Sequence, residues 1–386
     1  MDSVSVGLIV NPIAGLGGPA GQKGSDAADI RAIADKAGYA LTSPDRARRA
    51  VAQLAALLDR NGRGLRLLTG PGLLGEDAAE GLCPTTVLGP AAPASSSADT
   101  RALASRLAEA GVDLILFAGG DGTARDILDS VGGAVPVLGI PAGVKIYSAV
   151  FALTPMAAGS SAAAWLSGTG RATARRDVVD IDEDLLRAGL ASPTLHGTLN
   201  VPVDPSRLQA RKAATPASDA NSVAALARAF VRGMAPDRSY VLGPGGTTSA
   251  IGRELGLATT RLGVDVVRNG ALLAADVDAQ ALEIALDGKE ATVVLTPLGG
   301  QGFVVGRGNQ QITAKLLARL PLQIVATDGK LASLAGRPLW VDSGDDDVDA
   351  KLSGYAKVFT GAGTHTVYPV HRVFEETQGT TITKEY

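Results

Sequence analysis

Apolar and polar positions in the first part of this chain switch repeatedly between two rhythms. Residues 4–10 and 112–118 are apolar-rich runs of the kind that form strands covered on both faces. Segments 65–69, 85–88 and 135–140 predict further strands. Between them the apolar spacing becomes helical: around 27–37, at Val51, Leu54, Leu57 and Leu58, and in 97–110, where Leu103 and Leu107 are four residues apart. A helix is also predicted at 124–131. Strands alternating with helices predict an α/β domain built on a mostly parallel sheet.

The pattern changes at Ser167-Gly168-Thr169-Gly170, which sets the expected domains at 1–168 and 169–386. Beyond it, β-prone segments lie closer together: 177–181, 195–203, 239–242, 261–268, 292–296 and 302–305. Helical patterns at 220–232, 248–255 and 279–286 interrupt them, and strands at 323–327, 338–341, 356–360 and 366–370 close the chain. This half reads as a β-rich domain whose final segment can return to the first. Segments 91–97 and 211–218 read as flexible surface loops.

A chain of 386 residues exceeds one ordinary core, and 46% hydrophobic with 19% charged residues is ample for burial. Aromatics are only 4%, so the core must come from Ala, Val, Leu and Ile. A formal net charge of −3 offers no general attraction for nucleic acid or an anionic membrane. Cys83 is the single cysteine, which excludes an intramolecular disulfide and multi-cysteine metal clusters. With no secretory pattern and no apolar run of about 18 residues, a soluble cytoplasmic protein is expected.

Candidate chemistry gathers where strands end. Gly119-Gly120-Asp121-Gly122-Thr123 follows the 112–118 run and opens a helix. Its glycines let backbone approach a ligand, and successive N–H groups at a helix start form a nest for phosphate. A carboxylate inside such a nest repels phosphate unless a metal or a reacting hydroxyl lies between them. The plain alternative is a tight turn with Asp121 as a helix cap. Asn11-Pro12 opens a glycine-rich loop after the first strand, and Lys145 follows the strand at 135–140. Gly246, Thr247 and Thr248 precede another helical pattern, where the two threonines can serve a ligand or simply cap the helix. The Asn11-Pro12 loop has neither the Gly-x-Gly-x-x-Gly spacing, since Gly15, Gly17 and Gly18 are followed by Pro19, nor a Walker A ending. Asp126 and Arg125 read as solvated helical residues, and Asp345-Asp346-Asp347 as a solvated turn. Arg307 and Asn309, on a glycine-flanked loop, suit ligand contact and structural hydrogen bonding equally.

Together these segments resemble the ATP–NAD kinase family, whose Gly-Gly-Asp-Gly-Thr motif corresponds to residues 119–123 and whose early Asn-Pro loop corresponds to Asn11-Pro12. The segment 244–250 is similar to the family's Pro-Thr-Gly-Ser-Thr-Ala-Tyr, with Ala250 in place of the tyrosine. Residues 139–151 and 302–312 resemble a divergent branch that includes the acetoin-catabolism protein X. An Asn followed by an acidic residue is not found: Asn200 precedes Val201 and Asn269 precedes Gly270.

The resemblance implies a two-domain phosphotransferase that moves a phosphoryl group from ATP or polyphosphate to a ribose hydroxyl of NAD or a related nucleotide. Asp121 would accept or orient the hydroxyl proton. Asn11, Gly119, Gly120, Gly122, Thr123, Lys145, Gly246, Thr247 and Thr248 would hold nucleotide and phosphate. Mg²⁺ would be held mainly by phosphates and water, with no dedicated protein metal site. The expected partners are small nucleotides and further copies of the chain. A lipid or sphingoid kinase of the same superfamily and a nucleotide-binding regulator without turnover are the alternatives.

Overall fold

The computed structural model describes residues 3–20, 36, 38–90, 96–143, 146–168, 171–180, 194–203, 220–298, 300–361 and 364–372. The helix expected at 27–37 and the loops expected at 91–97 and 211–218 fall largely or wholly outside them.

A five-stranded parallel sheet forms the first unit. Its strands are β1 (Ser3–Val10), β2 (Gly64–Thr69), β3 (Thr85–Val87), β4 (Leu114–Gly119) and β5 (Val137–Pro141), in spatial order β3-β2-β1-β4-β5. Every pairing is parallel, with Val6 opposite Leu114 and Ile115 opposite Val137. All six residues of β4 are buried, as its unbroken apolar pattern requires of a strand with both faces covered. Sheet order reverses direction between β1 and β4. In an open α/β sheet that switch point, at the carboxyl ends of the strands, is where a crevice forms.

Helices α1 (Thr42–Arg60), α2 (Glu76–Ala79), α3 (Ser97–Glu109), α4 (Asp121–Val131) and α5 (Pro155–Ser167) accompany this sheet. In α1, Ala47, Ala50, Val51, Leu54 and Leu58 form the buried stripe. A complete capping box between Ser96 and Asp99 starts α3, each satisfying the other's backbone N–H. Helix α5 has no counterpart among the sequence expectations. Its sequence of small residues lacks an apolar stripe, yet Gly159 lies against Ala50 O of α1, with room for no side chain there.

Strands β6 (Thr173–Asp180) and β7 (Thr194–Pro202) form an antiparallel hairpin, and its Val178, Leu199 and Val201 enter the core of the first sheet.

The second large sheet has eight strands: β8 (Ser239–Leu242), β9 (Asp265–Arg268), β10 (Ala271–Ala274), β11 (Ala291–Leu295), β12 (Leu322–Val325), β13 (Leu339–Val341), β14 (Gly354–Gly361) and β15 (Thr364–Arg372). Their order is β10-β9-β8-β11-β12-β14-β15-β13, with parallel and antiparallel pairings mixed. Helices α6 (Ala220–Arg232), α7 (Gly246–Glu254), α8 (Ala279–Ala285), α9 (Ala314–Arg319), α10 (Asp328–Ala332) and α11 (Asp346–Leu352) are interspersed. The strand expected at 302–305 reduces to a single bridge between Phe303 and Trp340. Gly302 at φ +80° and Gly306 at φ +91° turn the chain at both ends of that segment, so no ladder can extend. The cores are mainly aliphatic, as the scarcity of aromatics dictates, with Phe117 and Phe151 packed edge to face in the first.

The two units are joined by polar contacts. Arg46 of α1 pairs with Asp342 at 2.8 Å and also donates to Pro141 O at 3.2 Å. Gln301 Nε2 donates to Ile146 O at 3.1 Å, and Ala279 N to Pro19 O at 2.9 Å.

Candidate active site at the strand switch point

Strands β1, β4 and β5 end side by side, and their following loops build the site. Asn11 directly follows β1, and its Nδ2 donates to Thr123 Oγ1 at 3.0 Å. Asn11 N donates to Ala118 O at 2.9 Å, which fixes the Asn-Pro loop to the end of β4. Gly15, at φ +83°, packs on Ala142 O, so the same loop also closes on the segment after β5.

The turn at 119–123 leaves almost no space for side chains. A Cβ on Gly119 would strike the Thr123 side chain, and one on Gly143 would lie 2.7 Å from Gly120 Cα. Gly119 O accepts from both Ala142 N and Gly143 N, at 3.0 and 2.9 Å. Helix α4 then begins with Gly120 at its N-cap and no side-chain cap. Its first-turn N–H groups precede the first intrahelical bond, Ala124 N to Gly120 O, and have no helical acceptor of their own. Gly122 is half-buried in that turn and Thr123 is buried.

Asp121 does not cap the helix it begins. Its carboxylate turns toward the chain after β5, accepting from Tyr147 N at 2.7 Å on Oδ2 and from Ser148 N at 3.0 Å on Oδ1. Ser148 is held in turn by the hairpin, donating to Val179 O and accepting from Val179 N, each at 3.0 Å. Asp121 is 6% exposed, and burial pushes its carboxyl up to about 6 against the hydrogen bonds that favour its charge; Asp180 adds a smaller push the same way. A carboxyl near 6 is deprotonated at neutral pH and basic enough to take a proton from a hydroxyl.

The Gly246, Thr247 and Thr248 turn stands at the end of β8 and opens α7. Gly245, at φ +146°, packs against Thr296, and Thr248 Oγ1 donates to Gly245 O at 3.0 Å. No side chain caps α7; Thr247 and Thr248 are buried, while Gly246 faces open space. This turn connects to the first group through 296–312, where Lys330 Nζ donates to Thr296 Oγ1 at 2.8 Å and Gln301 reaches Ile146 O. Lys145 lies outside the described residues.

Several polar residues turn out to be structural. Asp126 is buried, not solvated: it pairs with Arg101 at 2.8 Å and accepts from Ser97 Oγ at 2.6 Å. Arg125 pairs with Asp180 at 2.9 Å. Asn309 braces its own loop, donating to Val304 O and accepting from Gly306 N. Asn200 donates to Gly133 O, and Asn269 pairs with Asp237. Tyr147 acts on Asp121 through its backbone N–H and Ser148 through its N–H and its side chain, from 26 and 27 residues away, so only the fold reveals the contact. Among the described residues, no three His, Cys, Asp or Glu side chains converge on a possible ion site. No helix among them is long and apolar enough to cross a membrane.

The model of the ATP-NAD kinase N-terminal domain matches residues 6–169, and that of the ATP-NAD kinase C-terminal domain matches 236–370. No curated protein gives a significant match. The two matches follow the order of the two sheets and include both the 119–123 turn and the 246–248 turn. They mark a kinase-like phosphotransferase with an NAD-like substrate. The chain belongs to the ATP–NAD kinase family.

Proposed function

We propose that this protein transfers the terminal phosphoryl group of ATP, or of polyphosphate, to a ribose hydroxyl of NAD or a close relative. The observation that carries this reading is Asp121: a buried carboxylate near 6, held by two backbone N–H groups at the switch point beside an uncapped helix start. Its oxygens keep lone pairs beyond the two bonds, so each can still accept from a substrate hydroxyl. In this reading Asp121 orients that hydroxyl and takes its proton as the oxygen attacks phosphorus. The N–H groups of Gly122 and Thr123 receive phosphate oxygens, with Gly119 and Gly120 allowing the close approach. Asn11 fixes the Thr123 hydroxyl in place. Gly246, Thr247 and Thr248 offer a second set of helix-start donors for the remaining part of a dinucleotide, and Lys145 a point charge for phosphate.

Mg²⁺ fits this site as an ion bound through phosphate oxygens and water, neutralising charge on the transferring group, because Asp121 supplies one carboxylate and no acidic cage surrounds it among the described residues. Domain limits at 1–168 and 169–386, assembly into a homo-oligomer, a cytoplasmic setting and a link to acetoin catabolism complete the proposal.

Purified protein assayed with ATP and with polyphosphate against NAD, NADH and simple nucleosides tests it. Phosphorylated NAD from either donor supports the reading. Nucleotide binding without turnover in the presence of Mg²⁺ would instead favour a regulator that retains the fold, and phosphorylation of nucleosides alone would remove the dinucleotide.

A further inference from the structure

Arg307 is 4% exposed in the loop that follows Phe303. Its Nη2 donates to Leu153 O at 2.7 Å, and its guanidinium carbon stands 4.2 Å above the centre of the Phe303 ring. Nη1 is buried and has no hydrogen-bond partner. Leaving a buried donor of a charged group without a partner is costly, so such a group calls for an explanation beyond packing.

The surrounding charges supply one. Asp342 and Asp121 are the acids whose charge reaches Arg307, and Arg46 is the neighbouring cation. Asp342 is already engaged, 2.8 Å from Arg46. Asp342 acts on Arg307 more strongly than Asp121 does, and neither forms an ion pair with it. Once Asp121 holds a proton, Asp342 is the remaining acid whose charge reaches Arg307, and it is shared with Arg46. Burial and Arg46 lower the Arg307 guanidinium to about 9, which still leaves it charged at neutral pH. Leu153, which fixes Nη2, belongs to the same stretch after β5 as Tyr147 and Ser148, the two residues that hold Asp121. An oxyanion placed next to Asp121 would supply both missing items, an acceptor for Nη1 and a negative charge. Guanidinium suits this task because it presents planar, directed donors and stays charged.

We propose that Arg307 is an oxyanion anchor whose Nη1 binds an oxygen of the donor's phosphate chain beside Asp121. The second unit thereby contributes a charged contact to a phosphate cradled by the first. Identifying the anion as the donor's phosphate rests on the phosphotransferase reading; the anion site itself does not.

Calorimetric titration of the full chain with inorganic tripolyphosphate isolates the contact from any nucleoside. The wild type is expected to bind, Arg307→Gln to bind roughly 10- to 100-fold more weakly, and Arg307→Lys to fall between them, since it keeps the charge without the fork. Asp121→Asn is expected to bind tripolyphosphate at least as tightly as the wild type, because it removes a like charge. A purely structural arginine would shift the unfolding midpoint and leave anion affinity unchanged. The proposal is overturned if the wild type fails to bind, or if folded Arg307→Gln and Arg307→Lys match it. Should Arg307→Gln not fold, a crystal structure of the wild type with tripolyphosphate decides. An oxygen of the anion within about 3.2 Å of Nη1 supports the anchor; water there, with the anion elsewhere, overturns it. Arg307-dependent tripolyphosphate binding in a protein that phosphorylates no nucleotide would sustain the anchor and sink only the kinase reading.

Discussion

At the scale of single residues, Asp121 links ionisation to both catalysis and stability. Its carboxyl titrates near 6, and only the deprotonated form can accept a proton. Turnover is therefore expected to rise with pH through about 6 and level off above it. Asp121→Asn should lose roughly 10²–10⁴-fold in turnover and lose that limb of the profile; a folded variant with near-normal turnover would remove Asp121 from the chemistry. The sign for stability is opposite. Because the folded value lies above the unfolded 3.8, the folded state binds the proton more tightly. That contribution is complete below the unfolded value and disappears as pH rises through the folded one. From this group alone, stability should fall by up to about 3 kcal/mol between pH 4 and 7. Denaturant titrations across that window should show a flatter slope for Asp121→Asn than for the wild type, and equal slopes would mean the carboxyl is not perturbed.

At the scale of elements, what could be read from sequence depended on whether a pattern signals burial or contact. Strand β4 and the stripe of α1 announce themselves because long apolar side chains recur at the period of their structure. Helix α5 is silent because Ala158, Gly159, Ala162 and Ala163 are small, and their burial comes from close approach to α1 rather than from bulk. The same limit applied to the site. Gly119, Gly120 and Asp121 stood out by type, whereas the partners of Asp121 lie 26 and 27 residues away in sequence. Asp126 looked solvated because nothing in its neighbourhood in sequence reveals Arg101 on α3. Gly119 tests the element directly. Gly119→Ala would drive Cβ into the Thr123 side chain and displace it from Asn11. Overpacking of this kind costs about 1–3 kcal/mol, and the phosphate turn should be displaced with it. Activity is expected to drop at least about tenfold, the loss that follows from about 1.4 kcal/mol of misplaced transition-state contact. Unchanged kinetics with only a lowered unfolding midpoint would show that the turn tolerates the shift.

At the scale of the whole molecule, the two sheets meet where their loops carry charge. Arg46 joins them through Asp342 at 2.8 Å, while Pro141 O at 3.2 Å holds it on its own side and the Asp45 and Asp349 charges also act on it. Burial works against the Arg46 charge, yet Asp342 more than restores it and holds the guanidinium above its ordinary value. Asp342 also lies against Gly306, so the residue that neutralises Arg46 positions the backbone next to Arg307. Replacing Asp342 with Asn removes one charge and leaves Arg46 in a largely buried place without its counter-ion. Fully buried pairs lose roughly 3–5 kcal/mol on such a change. Arg46 keeps 18% of its side chain exposed and Asp342 5%, so about 2–4 kcal/mol is the expected loss here. The change also makes the cluster around Arg307 more positive, so tripolyphosphate should bind more tightly even as the unfolding midpoint falls. Those opposite signs are the useful readout, because simple loosening of the interface would weaken both. Denaturant unfolding and tripolyphosphate titration of Asp342→Asn, with Arg46→Ala combined in a double-mutant cycle, measure them together. Loss of stability and of anion binding in parallel would mean that the pair merely fastens the two units and does not set the charge of the site.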